Sequence, residues 1–244
     1  MEKFNFNIKS VIDCLVPSDV TMITGGPGAG KTMLALNIAA QYGVNEDKTV
    51  AIFSLEQSAK EVALRLVGML ANISSRDLQK EQFTTKDCEL IELAKEELQK
   101  SKIYIDDLYI HTPKSIEIKI DKFIKYHGCL DLVIIDFFQL LRGIDTRDIA
   151  GAVSAVDKLK VIAKKINIPI ILLSQMGRDG KGGWKSRYPS SIANTCISMV
   201  RDWTYYGHYQ EKEFYMTFDY GKYEGKKILL DCDFHRGRIR EKIE

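Results

Sequence analysis

The chain has 244 residues, 45% of them hydrophobic and 28% charged, with a formal net charge of +2. That length suits one full α/β domain and that balance excludes a disordered chain, while a net charge near zero leaves a nucleic-acid surface open, since a local patch decides it. Five scattered cysteines without a C-x-x-C pair, and four histidines, argue against a structural zinc site or a disulfide framework and for reduced thiols in a cytosol.

Met1-Glu2-Lys3-Phe4-Asn5 is too polar for a signal peptide. No apolar run reaches the ~18–20 residues of a membrane helix, because Asp136 and Gln139 interrupt the longest candidate. The expectation is a soluble cytoplasmic protein with no membrane partner. Residues 1–17 supply at most one short helix, and residues 18–244 read as one domain without an internal repeat.

Val20–Thr24, Thr49–Ser54, Asp131–Asp136 and Ile168–Ser174 are Val- and Ile-rich runs without polar alternation, the pattern of parallel strands covered on both faces. A helix over Lys31–Tyr42 follows the first. Ser58-Ala59-Lys60-Glu61 is a capping box before an apolar stripe that includes Val62, Leu66, Met69 and Leu70. Cys88, Ile91, Ala94 and Leu98 mark a charged surface helix. Ile116, Ile120, Phe123 and Ile124 mark another, and Ile149, Val153, Val156, Leu159 and Ile166 a longer one. Alternating strands and helices predict a doubly wound α/β fold. After Pro189, Phe214–Phe218 and Lys227–Asp233 around the turn Tyr220–Gly225 predict an antiparallel hairpin extending the sheet. The alternating Arg236, Arg238 and Arg240 read as a solvated edge strand, protected from pairing by charge.

Gly25-Gly26-Pro27-Gly28-Ala29-Gly30-Lys31-Thr32 fits G-x-x-x-x-G-K-[ST] between an apolar strand and an amphipathic helix that continues with Met33. Glycines let backbone N–H groups approach phosphates, Lys31 brings charge to the β- and γ-phosphates, and the Thr32 hydroxyl can ligate Mg²⁺. The loop predicts a nucleoside triphosphate, with Gly25 through Met33 as the binding residues. Leu132-Val133-Ile134-Ile135-Asp136 is a strand ending in a carboxylate of Walker B form, which would hold Mg²⁺; a helix N-cap aspartate is the plainer reading. Glu56, at the C-terminal end of the strand Val50-Ala51-Ile52-Phe53-Ser54-Leu55-Glu56, can polarise the water that attacks the γ-phosphate, or stand as a solvated surface glutamate. Gln175 ends a further strand and can sense the γ-phosphate, on little signal of its own.

Read together, the segments resemble the motor domain of the DnaB-type replicative helicases, within the RecA-like ATPases. The likeness rests on Gly26–Thr32, Ile52-Phe53-Ser54-Leu55-Glu56, Ile103-Tyr104-Ile105-Asp106-Asp107, Ile134-Ile135-Asp136-Phe137-Phe138-Gln139-Leu140-Leu141, Leu159-Lys160-Val161-Ile162-Ala163-Lys164 and Leu173-Ser174-Gln175-Met176-Gly177-Arg178. Order and spacing agree over about residues 15–180. The resemblance implies a RecA-like P-loop NTPase fold, a mostly parallel sheet flanked by helices with a C-terminal antiparallel hairpin. It implies ATP and Mg²⁺ as ligands, Lys31 and Thr32 on phosphate and metal, Glu56 activating water, Asp136 as the Walker B carboxylate and Gln175 as sensor. Arg65 and Arg178 fall on family arginines near the nucleotide. The implied partners are single-stranded DNA, further copies of the chain in a ring, with a hexamer expected, and other replication proteins.

The chain also departs from the family. The loop that would face DNA, Arg178–Tyr188, carries Arg178, Lys181, Lys185 and Arg187 with Trp184 and Tyr188, which suits a grip on phosphates and stacking on a base, or a solvated loop. The next stretch, Ser190–Ile197, lacks the family's acidic residues. Where the family hairpin carries a Lys-x-Arg pair that reaches the neighbour's γ-phosphate, Tyr223 takes the arginine's place and Lys222 is the best substitute; it lacks the planar fork of a guanidinium. Residues 1–17 stand where the family has a helical collar domain, and supply a candidate subunit-docking helix. The leading expectation is an ATP-hydrolysing helicase or translocase. Two alternatives stay open: a RecA- or KaiC-like switch without unwinding, and a degenerate nucleotide-binding loader or inhibitor.

Overall fold

The computed structural model describes residues 8–81, 83–143, 145, 148–178, 184–201 and 214–242. A nine-stranded sheet runs through them in the order β11-β10-β9-β8-β1-β5-β4-β2-β3. Strands β1 (Val20–Gly25), β2 (Val50–Ser54), β3 (Ile103–Asp106), β4 (Leu132–Asp136), β5 (Ile170–Gln175) and β8 (Thr195–Arg201) are parallel. Strands β9 (Phe214–Tyr220), β10 (Lys227–Asp233) and β11 (Arg238–Glu241) add on antiparallel. The pair β6 (Gly177–Arg178) and β7 (Trp184–Lys185) forms a separate small ribbon.

Every residue of β1, β2 and β4 is buried, and every one of β5 except Gln175, as their largely apolar runs require. One face packs on α1 (Lys9–Ile12), α2 (Lys31–Ala40), α3 (Ala59–Ala71) and α5 (Thr85–Lys100), with α4 (Ser75–Gln79) between the last two. The other face packs on α6 (Pro113–His127) and α7 (Ile149–Ile166). Helix α2 is buried from Met33 to Ala40, and passes into a wider turn at Gln41–Asn45, so the predicted end at Tyr42 falls inside that turn. The capping box of α3 forms as expected: Ser58 accepts from the Glu61 backbone N–H while the Glu61 carboxylate accepts from the Ser58 N–H. Thr84 with Asp87, and Thr112 with Ser115, start α5 and α6 in the same way.

Strands β3 and β8 stand outside the four runs that the apolar pattern marks. β3 is a half-exposed edge strand, and β8 mixes Thr195 and Ser198 into its apolar residues. The hairpin forms as predicted, and β11 is an edge strand. Its arginines, however, are not simply solvated. Arg238 Nε donates to Met69 O and Arg236 Nε to Asn72 O, both at 3.0 Å. The last carbonyls of a helix have no partner within it, and these two cations supply donors and favourable charge at the end of α3. Residues 8–15 pack into the same core: Ile8, Val11, Cys14 and Leu15 are buried, and Ser10 donates from its N–H and hydroxyl to the Glu241 carboxylate.

Candidate active site

Four parallel strands deliver polar groups to one edge of the sheet. The register sets Gly25 beside Gln175 and Ser54 beside Asp136, so the phosphate loop after β1, Glu56 after β2, Asp136 on β4 and Gln175 on β5 stand level. Ligands of open α/β sheets bind at this carboxyl edge. Here it holds a cavity of about 350 Å³, whose walls include Pro27, Gly28, Gly30, Lys31, Thr32, Met33, Glu56, Arg65, Asp136 and Gln175.

The loop is shaped for anions. Gly28 and Gly30 have φ of +72° and +85°, which side-chain-bearing residues avoid, and Gly30 leads directly into α2. Lys31 Nζ donates to Gly25 O at 3.0 Å and Gly26 O at 2.9 Å, folding the ammonium over the loop. Burial lowers its pKa, against the opposing charges of Asp136 and Glu56. A half-desolvated ammonium beside two carboxylates is suited to a polyphosphate.

Thr32 Oγ1 donates to Asp136 Oδ2 at 2.7 Å. Asp136 is 6% exposed; burial pushes its pKa up, the Thr32 bond works against that, and the Glu56 charge adds to it. An alcohol and a buried carboxylate at hydrogen-bond distance fit a hard divalent cation. Among the described residues no three His, Cys, Asp or Glu side chains cluster as a complete metal cage.

Glu56 is exposed to the cavity, and Arg65 projects into it from α3. The backbone at Gln175 is held by Gln139, in the short turn after β4. Gln139 Nε2 donates to Ser174 Oγ at 2.9 Å and Gln175 O at 3.0 Å, while its Oε1 accepts from Gln175 N at 3.2 Å. The glutamine of the Asp-x-x-Gln segment is thus a brace for the end of β5 at Gln175, a contact its place in the motif did not reveal.

Arg178 stacks on the residue that covers the phosphate loop. It is not part of the cavity wall; its guanidinium carbon sits 3.8 Å from the Trp184 ring centre. Trp184 in turn covers the phosphate loop: a Cβ built on Gly26 would stand 2.8 Å from the indole. Met176 N donates to Gly25 O at 3.0 Å, fixing the foot of the β6–β7 ribbon to the same loop. Trp184, Lys185 and Arg187 are exposed on this ribbon and its flank, and Lys181 falls outside the described residues. Tyr188 is buried, edge-on to Phe138 at 5.4 Å.

The sequence reading missed other parts of the wall, among them Gln57, Met69, Phe234, Arg236 and Gly237. Because β10 and β11 are antiparallel, the turn between them returns to the ligand edge. The Arg236-Gly237 step was the available signal for that turn. Lys222 lies at the opposite end. It is exposed on the turn between β9 and β10, where Tyr220 pairs with Cys196 at the start of β8. Tyr223 turns inward, edge-on to Phe218 at 5.8 Å, with its hydroxyl 3.4 Å from Asp13 O. At about 3.3 Å per residue, the length of β9 puts Lys222 on the order of 20 Å from the edge that holds its own phosphate loop.

The sequence pattern of the DnaB-like helicase C terminal domain family matches residues 4–189, ending before β8 and the hairpin. The replicative DNA helicase DnaC of Bacillus subtilis is 34% identical over 166 residues, covering 66% of this chain and 36% of that protein. The replicative DNA helicase DnaB of Geobacillus stearothermophilus is 32% identical over 164 residues, again 66% of this chain and 36% of the relative. The chain spans about a third of the length of these relatives. One solved ATPase domain superposes with a TM-score of 0.82 at 21% identity, over 93% of this chain and 86% of that one. A DnaB-like replicative helicase, solved to describe its interactions with primase, gives 0.80 at 20% identity, over 93% of this chain and 58% of that one. Those two likenesses show the fold, and the sequence match, which takes in the phosphate loop, Glu56, Asp136 and Gln175, shows that the chain belongs to the DnaB-like helicase C-terminal domain family.

Proposed function

We propose that this chain is the ATP-hydrolysing motor of a DnaB-like DNA helicase or translocase, working with Mg²⁺ on single-stranded DNA as a ring oligomer, a hexamer on the family pattern. The observation that carries the reading is the shared cavity in which Lys31, the Thr32–Asp136 pair and Glu56 converge. Lys31 and the loop N–H groups hold the phosphates. Thr32 and Asp136 hold Mg²⁺, which neutralises charge on the β- and γ-phosphates. Glu56 takes the proton of the attacking water, Gln175 reads the γ-phosphate, and Arg65 adds positive charge beside Asp136. Trp184, Lys185 and Arg187 offer a stacking ring and two cations to a DNA strand, next to the phosphate loop. Lys222 serves the site of a neighbouring copy.

No helix of the described residues is long and apolar enough to cross a membrane. On this reading the protein works in the cytoplasm beside other replication proteins. The complete set of Lys31, Glu56 and Asp136 speaks against a degenerate nucleotide binder. The test is ATP turnover with and without single-stranded DNA, alongside mass in solution. DNA-stimulated turnover by a ring-sized assembly is expected. Turnover indifferent to DNA would favour the switch, and binding without turnover the degenerate protein.

A further inference from the structure

Gly26 occupies a place in the phosphate loop that the G-x-x-x-x-G-K-[ST] pattern leaves to any residue. Its φ is outside the left-handed range, unlike those of Gly28 and Gly30, so the turn itself does not call for glycine there. Trp184 does. A Cβ on Gly26 would stand 2.8 Å from Cδ2 and Cε2 of the indole and 2.9 Å from Nε1, well inside the separation at which heavy atoms pack. The ring thus rests on the side of Gly26 from which a side chain would project. Gly26 is buried, although the next two residues, Pro27 and Gly28, are exposed. Neither Gly26 nor Trp184 lines the cavity, so the ring touches the loop from outside it.

The ribbon that carries Trp184 meets the loop at two residues. Met176 N donates to Gly25 O at 3.0 Å, and the pairing of β6 with β7 then sets Arg178 opposite Trp184, whose ring lies on Gly26. These are the two residues whose carbonyls hold Lys31, at 3.0 Å for Gly25 O and 2.9 Å for Gly26 O. An ammonium has three N–H bonds. With two directed at carbonyls, the direction of the third follows from where those carbonyls stand. Asp136 and Glu56 also act on this ammonium, but through charge, which has no preferred direction. Gly26 O has a further donor in Ala29 N at 3.2 Å, which belongs to the loop and moves with it. The indole is a hold from outside. We propose that Trp184 is a positioning residue for Lys31: packed on Gly26, it fixes the carbonyl that aims the ammonium, and so directs the third N–H bond at the β- and γ-phosphates. This rests on the ATPase reading above.

The experiment measures turnover and binding without DNA, so that only the contact with the loop is tested. A misplaced group at the reacting centre loses up to about 100-fold in rate. Trp184→Ala is expected to lower kcat about 10–100-fold and weaken ATP binding about 3–10-fold, while affinity for AMP, which has no β- or γ-phosphate, stays within about twofold. Trp184→Phe keeps a flat ring and should restore kcat to within about threefold of wild type. Gly26→Ala should push the ring off the loop and show the same split. Adding Trp184→Ala to it should make little further difference, because both changes break one contact. Should Trp184→Ala not fold, Trp184→Leu must give the same pattern. With a wild type that hydrolyses ATP, an unchanged kcat in Trp184→Ala overturns the proposal alone, as do equal losses for ATP and AMP, or losses that add in the double variant. A wild type that binds ATP without turnover overturns the ATPase reading, and the split between ATP and AMP affinity then decides for or against Trp184 by itself. A wild type that binds no ATP overturns both.

Discussion

Replacing Asp136 by asparagine should stabilise the nucleotide-free protein while removing its response to Mg·ATP. The carboxylate is 6% exposed. Burial is the largest influence on its pKa and pushes it up; the Thr32 bond, Lys31 and Arg65 pull down, Glu56 pushes up, and the upward side wins. Asparagine keeps the size and an oxygen to accept the Thr32 hydroxyl, and it removes the buried charge. Given the partial compensation by Lys31 and Arg65, the gain is about 1–2 kcal/mol, the low end for relieving a poorly satisfied buried polar group. For a chain of this size that is ~2–8 °C in Tm. The sign of the pH dependence is also fixed. A carboxyl whose pKa is higher folded than unfolded binds its proton more tightly in the folded state, so its penalty is absent below the unfolded value of 3.8 and grows as pH rises through the folded value. Melting curves in EDTA should therefore show the variant ahead at about pH 8 and level with wild type near pH 4. Mg·ATP should raise the Tm of wild type only. A variant that melts below wild type at about pH 8, or a gain that does not change with pH, would refute the reasoning.

Glu56→Gln should bind Mg·ATP as wild type does and lose about 100-fold or more in turnover, read by single-turnover hydrolysis beside equilibrium binding. Trp184→Ala with Lys185→Ala should weaken single-stranded DNA binding and flatten its salt dependence by about one unit of slope in a titration at several salt concentrations. Arg238→Ala should cost about 1–2 kcal/mol in denaturant unfolding, through the lost bond to Met69 O at the end of α3. Lys222→Ala should leave ATP affinity intact and lower the turnover of the assembled protein; unchanged turnover would remove Lys222 from the site of a neighbour.

The phosphate loop, Glu56 and Asp136 were legible because each ends a strand buried on both faces, where Val and Ile runs break abruptly into polar residues. The edges were less legible. β3 is half exposed, and β8 carries Ser198 because its hydroxyl bonds to Asp219 on β9, a partner far along the chain. Gln139 could be read as a motif position, but bracing Gln175 is a contact between the ends of two strands that only the sheet brings together. Arg236 and Arg238 misled for the same reason. Alternating charge on a terminal strand is the ordinary signature of a solvated edge, and nothing local announces that α3 ends beneath it. Trp184 was read for its ring, and the local pattern held no sign of Gly26 as its neighbour.

The hairpin turn and the phosphate loop stand at opposite edges of one sheet, and this separation constrains how copies can meet. If Lys222 of one copy completes the cavity of another, the contact joins unlike surfaces, head to tail. A pair related by two-fold symmetry would use the same patch on both copies, whereas a head-to-tail contact closes only by going round a ring, or continues as a filament. Every site would then borrow from one neighbour and lend to the other, so activity would depend on the order of subunits as well as their number. Two defective proteins, one with Lys222→Ala and one with Glu56→Gln, should recover turnover when mixed, at the junctions where an intact cavity meets an intact hairpin.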